Sequence, residues 1–232
     1  MSAGQSFSYD AAGIECIGYL AKPEGAGPFP GILVSPAFGG LGPMERGTCD
    51  RLAALGYVAL GVDYYSGGRR TEERSEAAQW MSELQSDRAL LAVRMQAALT
   101  ALKAVPEVGG KVGAMGYCFG GKSVLDLARS GAEFAAGVTL HGVYDAPPSG
   151  SQTMQAAMLI CDGWDDTLCP PEVKVALGQE LNAHCADWQF LSFGHTEHGF
   201  CNPASAAFSP SAEARSWRVL TGFFDEVLRG RS

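Results

Sequence analysis

The stretch "VGAMGYCFGGKSVLDLA", residues 112–128, decides the fold. An apolar run leads into Cys118, which stands in the spacing G-x-C-x-G, and a helical pattern follows it. Where a chain turns abruptly from a strand into a helix, Gly116 and Gly120 leave out side chains that would clash with neighbouring turns. Gly121 lets the helix approach the sheet. The sequence therefore predicts a strand, a strained sharp turn that holds a thiol, and a helix.

The thiol of Cys118 has two interpretations in this position. At the start of a helix, unpaired N–H groups favour a thiolate and a developing oxyanion, so the cysteine is a candidate nucleophile. The same spacing also fits a tight strand-to-helix turn around an inert buried cysteine. The chain has seven cysteines without paired C-x-x-C spacings, and most of them are expected to be small buried hydrophobic residues.

Short apolar runs alternate with helical patterns along the rest of the chain. Predicted strands cover residues 31–37, 57–65, 111–118, 135–142, 156–163 and 187–194. Predicted helices cover residues 44–56, a longer segment that includes Trp80 to Leu102, the segment after Cys118, residues 172–185, and a C-terminal helix from Ser209 to Gly230. Because the strands are apolar throughout, we expect a mostly parallel, doubly wound sheet with helices on both faces.

The N-terminal residues have a different pattern. "QSFSYD" and "IECIGYLAKP" are separated by Ala-Ala-Gly, which predicts an antiparallel hairpin on the edge of the sheet. No internal repeat, low-complexity tract or linker divides the chain. We therefore expect a single domain over residues 1–232.

Composition and charge restrict the class of protein. The chain is 47% hydrophobic and 18% charged, which is typical of a compact globular protein. The net charge is −8, and Arg69, Arg70 and Arg74 are interleaved with Glu72 and Glu73. This pattern favours a solvated loop over a nucleic-acid site, although one of these arginines could bind an acidic substrate group. No apolar run approaches the roughly 18 residues that span a bilayer, and no secretory signal is present, so we expect a cytoplasmic protein without membrane association.

Two further motifs follow predicted strands. "GWDDTLCP" contains Asp166 and follows the strand at residues 156–163, and "FGHTEHGF" contains His198 and follows the last strand. The order Cys, Asp, His, each at the C-terminal end of a strand, is the triad order of α/β-hydrolases. Ligand sites in such sheets gather at those strand ends. The three motifs therefore predict a nucleophilic active site.

The chain resembles the dienelactone hydrolase family of the α/β-hydrolase superfamily over nearly its whole length. The resemblance rests on "GYCFGG", "GWDDTLCP", "HGF" and the early block "FGG…DRLAALGYVALGVDYY". It implies an α/β-hydrolase fold and hydrolysis of a small ester or lactone, with Cys118 as nucleophile, His198 as general base and later general acid, and Asp166 orienting the imidazole. It also implies an oxyanion hole formed by the N–H groups of Phe119 and Ala37. No cofactor or metal is implied.

Two positions depart from the pattern of this family. Members with a cysteine nucleophile commonly carry a glutamate in the loop after the third strand, where this chain has Pro36. Without that carboxylate, we expect the thiol to pair directly with His198. The dienelactone enzymes are expected to bind the substrate carboxylate with arginines, one shortly after the catalytic histidine, but "HGFCNP" places Asn202 there. This difference argues against dienelactone itself as the substrate.

Neighbouring residues leave alternatives open for the acid and the base. Asp165 is adjacent to Asp166, and the glycine and proline spacings favour Asp166. His195 is the alternative base, although we interpret it as a loop or pocket-wall residue. His141 closes a predicted strand and His184 lies on a predicted helix, and both are interpreted as structural or solvated.

Three other classes of protein fit parts of the sequence. His195, His198 and Cys201 have H-x-x-H-x-x-C spacing, but a zinc site usually needs a helix or knuckle rather than a loop. A class I glutamine amidotransferase also has a glycine-flanked cysteine and an H-x-E motif, but its G-x-C-x-G-x-Q pattern is broken here by Lys122. In a non-catalytic binding protein with the same fold, the Cys118 thiol would be inert.

Overall fold

The computed structural model describes residues 4–231. The predicted features of residues 1–3 and 232, including the ends of the expected domain, lie outside this part of the chain. The strands are β1 (Gln5–Asp10), β2 (Glu15–Ala21), β3 (Phe29–Ser35), β4 (Val58–Gly61), β5 (Val108–Tyr117), β6 (Ala136–Leu140), β7 (Ala157–Gly163) and β8 (Trp188–Phe193). The helices are α1 (Pro43–Ala54), α2 (Arg74–Ser86), α3 (Arg88–Lys103), α4 (Phe119–Arg129), α5 (Pro171–His184) and α6 (Pro210–Arg229).

Of the described residues, 4–114 form one of two compact units. In this unit β1 pairs antiparallel with β2, β2 pairs antiparallel with β4, and β4 pairs parallel with β3. The strand β1 pairs only with β2 and forms the edge, so the predicted N-terminal hairpin is confirmed. Helix α1 packs against β2, β3 and β4, and α3 packs against β1, β3 and β4.

The described residues 115–231 form the second unit. Its strands β6, β7 and β8 are adjacent and parallel. Helix α4 packs against β6, α6 packs against β6 and β7, and α5 packs against β8. The strand order is β1-β2-β4-β3-β5-β6-β7-β8 in an eight-stranded, mostly parallel sheet, and the predicted fold class is confirmed. That the chain is a single domain stays a prediction.

The central strands are buried over consecutive residues. In β3, Ile32, Leu33 and Val34 have no exposed surface, although adjacent side chains of a strand point to opposite faces. All five residues of β6 are buried as well. Burial on both faces is the property of parallel strands covered by helices, and it explains why continuous apolar runs predicted these strands correctly.

The segment around Trp80 to Leu102 differs from the prediction. It forms two helices, α2 and α3, rather than one longer helical segment. Asp87 leaves helical geometry with φ −120° and ψ 71°, and its carboxylate accepts a 2.9 Å hydrogen bond from the N–H of Leu90. An aspartate in this position caps the next helix, so the apolar spacing continues across a break in the backbone.

The C-terminal helix agrees with the prediction at both ends. The hydroxyl of Ser209 accepts a hydrogen bond from the N–H of Ala212, Pro210 is the first helical residue, and Gly230 ends the helix with φ +66°. None of the helices in residues 4–231 has the length and apolar character to cross a membrane.

Candidate active site

Cys118 lies at the turn between β5 and α4 with φ +53° and ψ −115°. This conformation is strained for a residue other than glycine. A Cβ atom on Gly116 would lie 2.2 Å from the carbonyl group of Gly120, and one on Gly121 would lie 3.0 Å from the Cα of Gly142. The strand, sharp turn and helix predicted from the glycine spacing are therefore found; the contact at Gly116 excludes a side chain, and the contact at Gly121 is tight.

The cysteines divide into one partly exposed thiol and six buried ones. Cys118 is the partly exposed residue, and all seven thiols are free. Its backbone N–H donates a 3.0 Å hydrogen bond to the carbonyl of Leu140 at the end of β6. The expectation that most cysteines are small buried residues is confirmed, and only Cys118 combines exposure with strained geometry.

Asp166 and His198 form a direct pair at the ends of β7 and β8. The Oδ2 atom of Asp166 lies 2.8 Å from the Nδ1 atom of His198, and its Oδ1 atom accepts a 2.8 Å hydrogen bond from the N–H of Leu168. Asp166 is only 2% exposed. Burial raises the pKa of Asp166, but the hydrogen bond and charge of His198 outweigh this effect and hold the pKa below its ordinary value of 3.8.

His198 lies between Asp166 and Cys118. Burial lowers its pKa, but the hydrogen bond to Asp166 and the nearby Cys118 sulfur together raise the pKa from 6.5 to about 10. Its Nε2 atom is buried and has no partner of full hydrogen-bond geometry within residues 4–231. The thiol therefore lies near the imidazole without a completed hydrogen bond. The raised pKa favours an imidazole that carries a proton.

The loop that carries Asp166 packs directly on the loop that carries His198. A Cβ atom on Gly163 would lie 2.2 Å from the carbonyl oxygen of Thr196. The N–H of Asp165 donates to the same oxygen at 3.0 Å. Only glycine allows this approach, so Gly163 is what lets the carboxylate reach the imidazole.

Gly163→Ala is expected to lower the free energy of unfolding by about 2–4 kcal/mol, since the added methyl group must displace backbone. Activity should fall as well, because the Asp166–His198 pair separates. Gly194→Ala is the matched control, because a Cβ there meets no atom within 4 Å. Urea denaturation of both variants measures the difference, and equal stability of the two would contradict this role of Gly163.

The alternative residues Asp165 and His195 lie at the surface. The side chain of His195 is 103% exposed, and its Nδ1 atom is 3.9 Å from the Asp165 carboxylate. Cys201 is buried beside Ser216, and the described part of the chain contains no group of three or more ligand side chains that could hold a metal ion. The structure thus pairs Asp166 with His198 and does not bring the three zinc candidates together.

The loop after β3 carries Ala37, the second predicted oxyanion donor. The N–H of Ala37 donates a long 3.3 Å hydrogen bond to Oε1 of Glu45, and the N–H of Gly42 donates to Oε2 at 3.0 Å. The hydroxyl groups of Tyr64 and Tyr65 donate to the carbonyls of Ala37 and Phe38. Phe119, the other predicted donor, is the first residue of α4.

Glu45 is a residue of this loop that the sequence analysis missed. It is buried, and burial raises the pKa of its carboxyl group. A glutamate three residues after the residue that precedes a helix is a capping-box position, and this spacing from Gly42 was the available signal. Glu45 orders the loop that presents Ala37.

His141, which the sequence analysis interpreted as structural or solvated, is buried beside His198. It follows β6 with φ +40°, and its ring is buried edge-on against the ring of His198, with centroids 5.1 Å apart. The ring of Phe200 contacts it from another side at 5.2 Å. Burial and the charge of His198 lower the pKa of His141 to about 3. No spacing in the sequence indicates this contact.

The arginines between β4 and α2 are exposed, as expected for a solvated loop. Arg69 donates to the carbonyl of Tyr65 and lies over the ring of Trp80 at 5.2 Å. Arg70 pairs with Glu72 at 3.2 Å. These contacts hold Arg69 and Arg70 within their own segment of the chain.

The fold is that of an α/β-hydrolase, with Cys118, Asp166 and His198 at the ends of its strands. A sequence profile of the dienelactone hydrolase family matches residues 16–228, and the chain belongs to this family. A carboxymethylenebutenolidase homologue of Xenopus tropicalis is 26% identical, over 89% of this chain and 86% of its own.

Solved structures agree with this assignment. A dienelactone hydrolase-like promiscuous phosphotriesterase from metagenomic libraries superposes with a TM-score of 0.93 at 34% identity, covering 97% of this chain and 98% of its own. A dienelactone hydrolase of Anabaena variabilis has the same fold, with a TM-score of 0.71 at 22% identity over 98% of this chain and 100% of its own. Membership of this family makes the protein a hydrolase.

Proposed function

We propose that the protein hydrolyses a small ester or lactone through a covalent acyl-thioester on Cys118. The observation that carries this proposal is the arrangement of Asp166, His198 and Cys118, a buried carboxylate hydrogen-bonded to an imidazole whose other side faces a strained, partly exposed thiol. A nucleophile, a base and a group that orients the base are the parts that acyl transfer requires.

Acylation begins with attack of the Cys118 sulfur on the substrate carbonyl. The raised pKa of His198 makes its imidazole a strong acceptor for the thiol proton, so His198 takes this proton or already holds it in an ion pair, and the sulfur attacks as a thiolate. The negative charge that develops on the carbonyl oxygen is stabilised by the N–H groups of Phe119 and Ala37. For this, the N–H of Ala37 exchanges its long bond to Glu45 for one to the oxyanion.

The leaving alkoxide takes its proton from His198, which becomes the base for the second half of the reaction. A water molecule then gives a proton to His198 and attacks the thioester, and the carbon–sulfur bond breaks to release the acid. With a lactone the leaving alcohol stays attached to the acyl group, so hydrolysis must be faster than recyclisation. Neither step calls for a cofactor.

A panel of lactones and aryl esters of varied chain length and charge tests the proposal. We expect turnover of at least one small neutral member, with a burst of the aryl alcohol when acylation is faster than hydrolysis. Alkylation of Cys118 by iodoacetamide, located by mass spectrometry, should remove this activity. Turnover that survives complete alkylation would contradict the mechanism, and an unreactive Cys118 would favour the binding-protein alternative.

Neutral phosphotriesters are a second candidate substrate class. The observation in their favour is the similarity to the promiscuous phosphotriesterase, which extends over 97% of this chain. The same thiolate could attack phosphorus and expel an aryl alcohol, with the oxyanion donors stabilising the phosphoryl oxygen. A dialkyl aryl phosphate in the same panel tests this, and activity on it should also require an unmodified Cys118.

The size of the substrate, the cellular location and the binding partners are also proposed. A small-molecule substrate is supported by family membership, and Asn202 in place of an arginine disfavours dienelactone itself. The cytoplasmic location and the absence of nucleic-acid and membrane partners stay predictions from charge and hydropathy.

A further inference from the structure

Lys174 is a buried cation near the start of helix α5 that the mechanism above does not use. Its side chain is 6% exposed, and its counter-ion Asp162, close to the end of β7, is fully buried with Oδ2 3.0 Å from the ammonium. Burying an ion pair often costs as much free energy as the attraction of its charges returns. A cation is also disfavoured near the N-terminus of a helix, where the dipole is positive. These costs indicate a role for the ammonium besides stability.

The ammonium of Lys174 donates to two consecutive backbone carbonyls of the loop after β7. Its Nζ atom lies 2.8 Å from the oxygen of Gly163 and 3.0 Å from the oxygen of Trp164. Neither carboxylate oxygen of Asp162 has a partner of full hydrogen-bond geometry within residues 4–231. Asp162 therefore supplies the opposite charge, while the directed hydrogen bonds of Lys174 go to the loop backbone.

The peptide group between Gly163 and Trp164 connects this lysine to the candidate active site. Its oxygen accepts both the ammonium of Lys174 and, at 3.2 Å, the N–H of Asp166. Its N–H donates at 2.8 Å to the carbonyl of Phe193, at the end of β8. The peptide group is thus held at both ends, and rotation about its neighbouring bonds would break the hydrogen bond that closes the turn onto Asp166.

We propose that Lys174 is a positioning residue of the candidate active site, whose ammonium fixes the turn at residues 163–166 and so keeps the Asp166 carboxylate bonded to His198. This inference rests on the proposed function, in which Asp166 orients the base. The contact that it preserves is the 2.8 Å pair between Oδ2 of Asp166 and Nδ1 of His198. Without the ammonium, the two carbonyls are expected to turn towards water, because a buried carbonyl that loses its donor is unfavourable. That movement carries Asp166 away from the imidazole.

The test compares Lys174→Met with the double variant Asp162→Asn/Lys174→Met. Methionine cannot donate to the carbonyls, and the double variant also removes the charge that the single variant leaves unpaired. We expect kcat for 4-nitrophenyl butyrate to fall about 10- to 100-fold in both variants, with KM within about threefold of wild type, since a small displacement of a catalytic group has an effect of this size. Urea denaturation should show that the double variant regains stability relative to the single variant.

A proton NMR titration of the His198 ring gives a measurement that a loss of stability alone would not move. Asp166 helps to hold the pKa of His198 near 10, and we expect this pKa to fall by at least about 1 in both variants, which is a tenfold weaker preference for the charged ring. The double variant removes one charge of each sign, so its direct electrostatic effect on the ring is small. Recovery of kcat and of the His198 pKa together with stability would show that Lys174 only neutralises Asp162, and would overturn the inference.

Arg129→Met is the matched control. Arg129 is also a buried cation that donates to two consecutive carbonyls, those of Tyr144 and Asp145, and it pairs with Glu180 at 2.7 Å. We expect this variant to lose stability but to keep kcat within about threefold and the His198 pKa of wild type, because it shares no partner with the turn. An equal fall of both quantities in the control would also overturn the inference. If wild type hydrolyses no ester or lactone of the panel, the proposed function fails, while the His198 titration still decides the role of Lys174.

Discussion

Cys118→Ala and His198→Ala are each expected to lower kcat/KM for an activated aryl ester by about 10⁴-fold or more, because the members of the proposed triad act as a unit. The double variant should be little worse than either single one, since the second substitution removes a group that is already without its partner. Rates with 4-nitrophenyl butyrate measure the effect, and circular dichroism checks that each variant is folded.

His195→Ala and Asp165→Asn provide the matched controls. Both residues are next to a triad candidate in sequence, but His195 is fully exposed and its 3.9 Å contact with Asp165 lies at the surface. We expect both variants to stay within about threefold of wild type, since surface substitutions away from a site have small effects. A larger loss in His195→Ala than in His198→Ala would show that the wrong histidine has been assigned as the base.

Much of this site follows from the sequence because backbone geometry restricts it. In a parallel sheet the C-terminal ends of the strands lie at one edge, so residues placed just after β5, β7 and β8 must converge there. The turn requires glycine at position 116, because a Cβ atom there would lie 2.2 Å from the carbonyl group of Gly120. Periodicity and glycine spacing carry information of this kind, and they placed Cys118, Asp166 and His198 at their strand ends.

Other parts of the site depend on contacts between segments distant in sequence. The glycine and proline spacings favour Asp166 over Asp165 without excluding Asp165, and burial of Asp166 beside His198 is what separates the two. Glu45 is ordered by N–H groups in a loop of irregular structure. His141 packs against the ring of His198, which is far from it in the sequence. Side-chain packing at this range leaves no periodic trace in the sequence.

The helix break at Asp87 shows a related limit. The apolar residues from Trp80 to Leu102 continue at helical spacing on both sides of it, so periodicity alone predicts a continuous helix. An aspartate within such a pattern can either point to solvent or cap a new helix. Here its carboxylate takes the N–H of Leu90, and the choice depends on how α2 and α3 pack against each other.

Asp166→Asn is expected to lower kcat about 10²- to 10⁴-fold, because an amide no longer fixes the imidazole in the tautomer and charge state that the reaction needs. The pKa of His198 should also fall from about 10 towards its ordinary value of 6.5, since the hydrogen bond and charge of Asp166 hold it up. Proton NMR titration of the His198 ring measures this shift. Asp165→Asn should leave the His198 titration unchanged.

Asp166→Asn is also expected to lower the stability of the fold by an amount that depends on pH. The folded-state pKa of Asp166 lies below 3.8, so the ion pair stabilises the fold above that value and is lost as the pH falls through the folded-state pKa. The folded-state pKa of His198 lies near 10, so the contribution is complete below 6.5 and is lost as the pH rises towards 10. The difference in unfolding free energy between wild type and Asp166→Asn should therefore be largest between pH 3.8 and 6.5, at about 1.5–3 kcal/mol. Denaturant titrations from below pH 3.8 to above pH 6.5 measure this difference. If the difference does not shrink above pH 6.5, Asp166 stabilises the fold through neutral hydrogen bonds and not through the charge on His198.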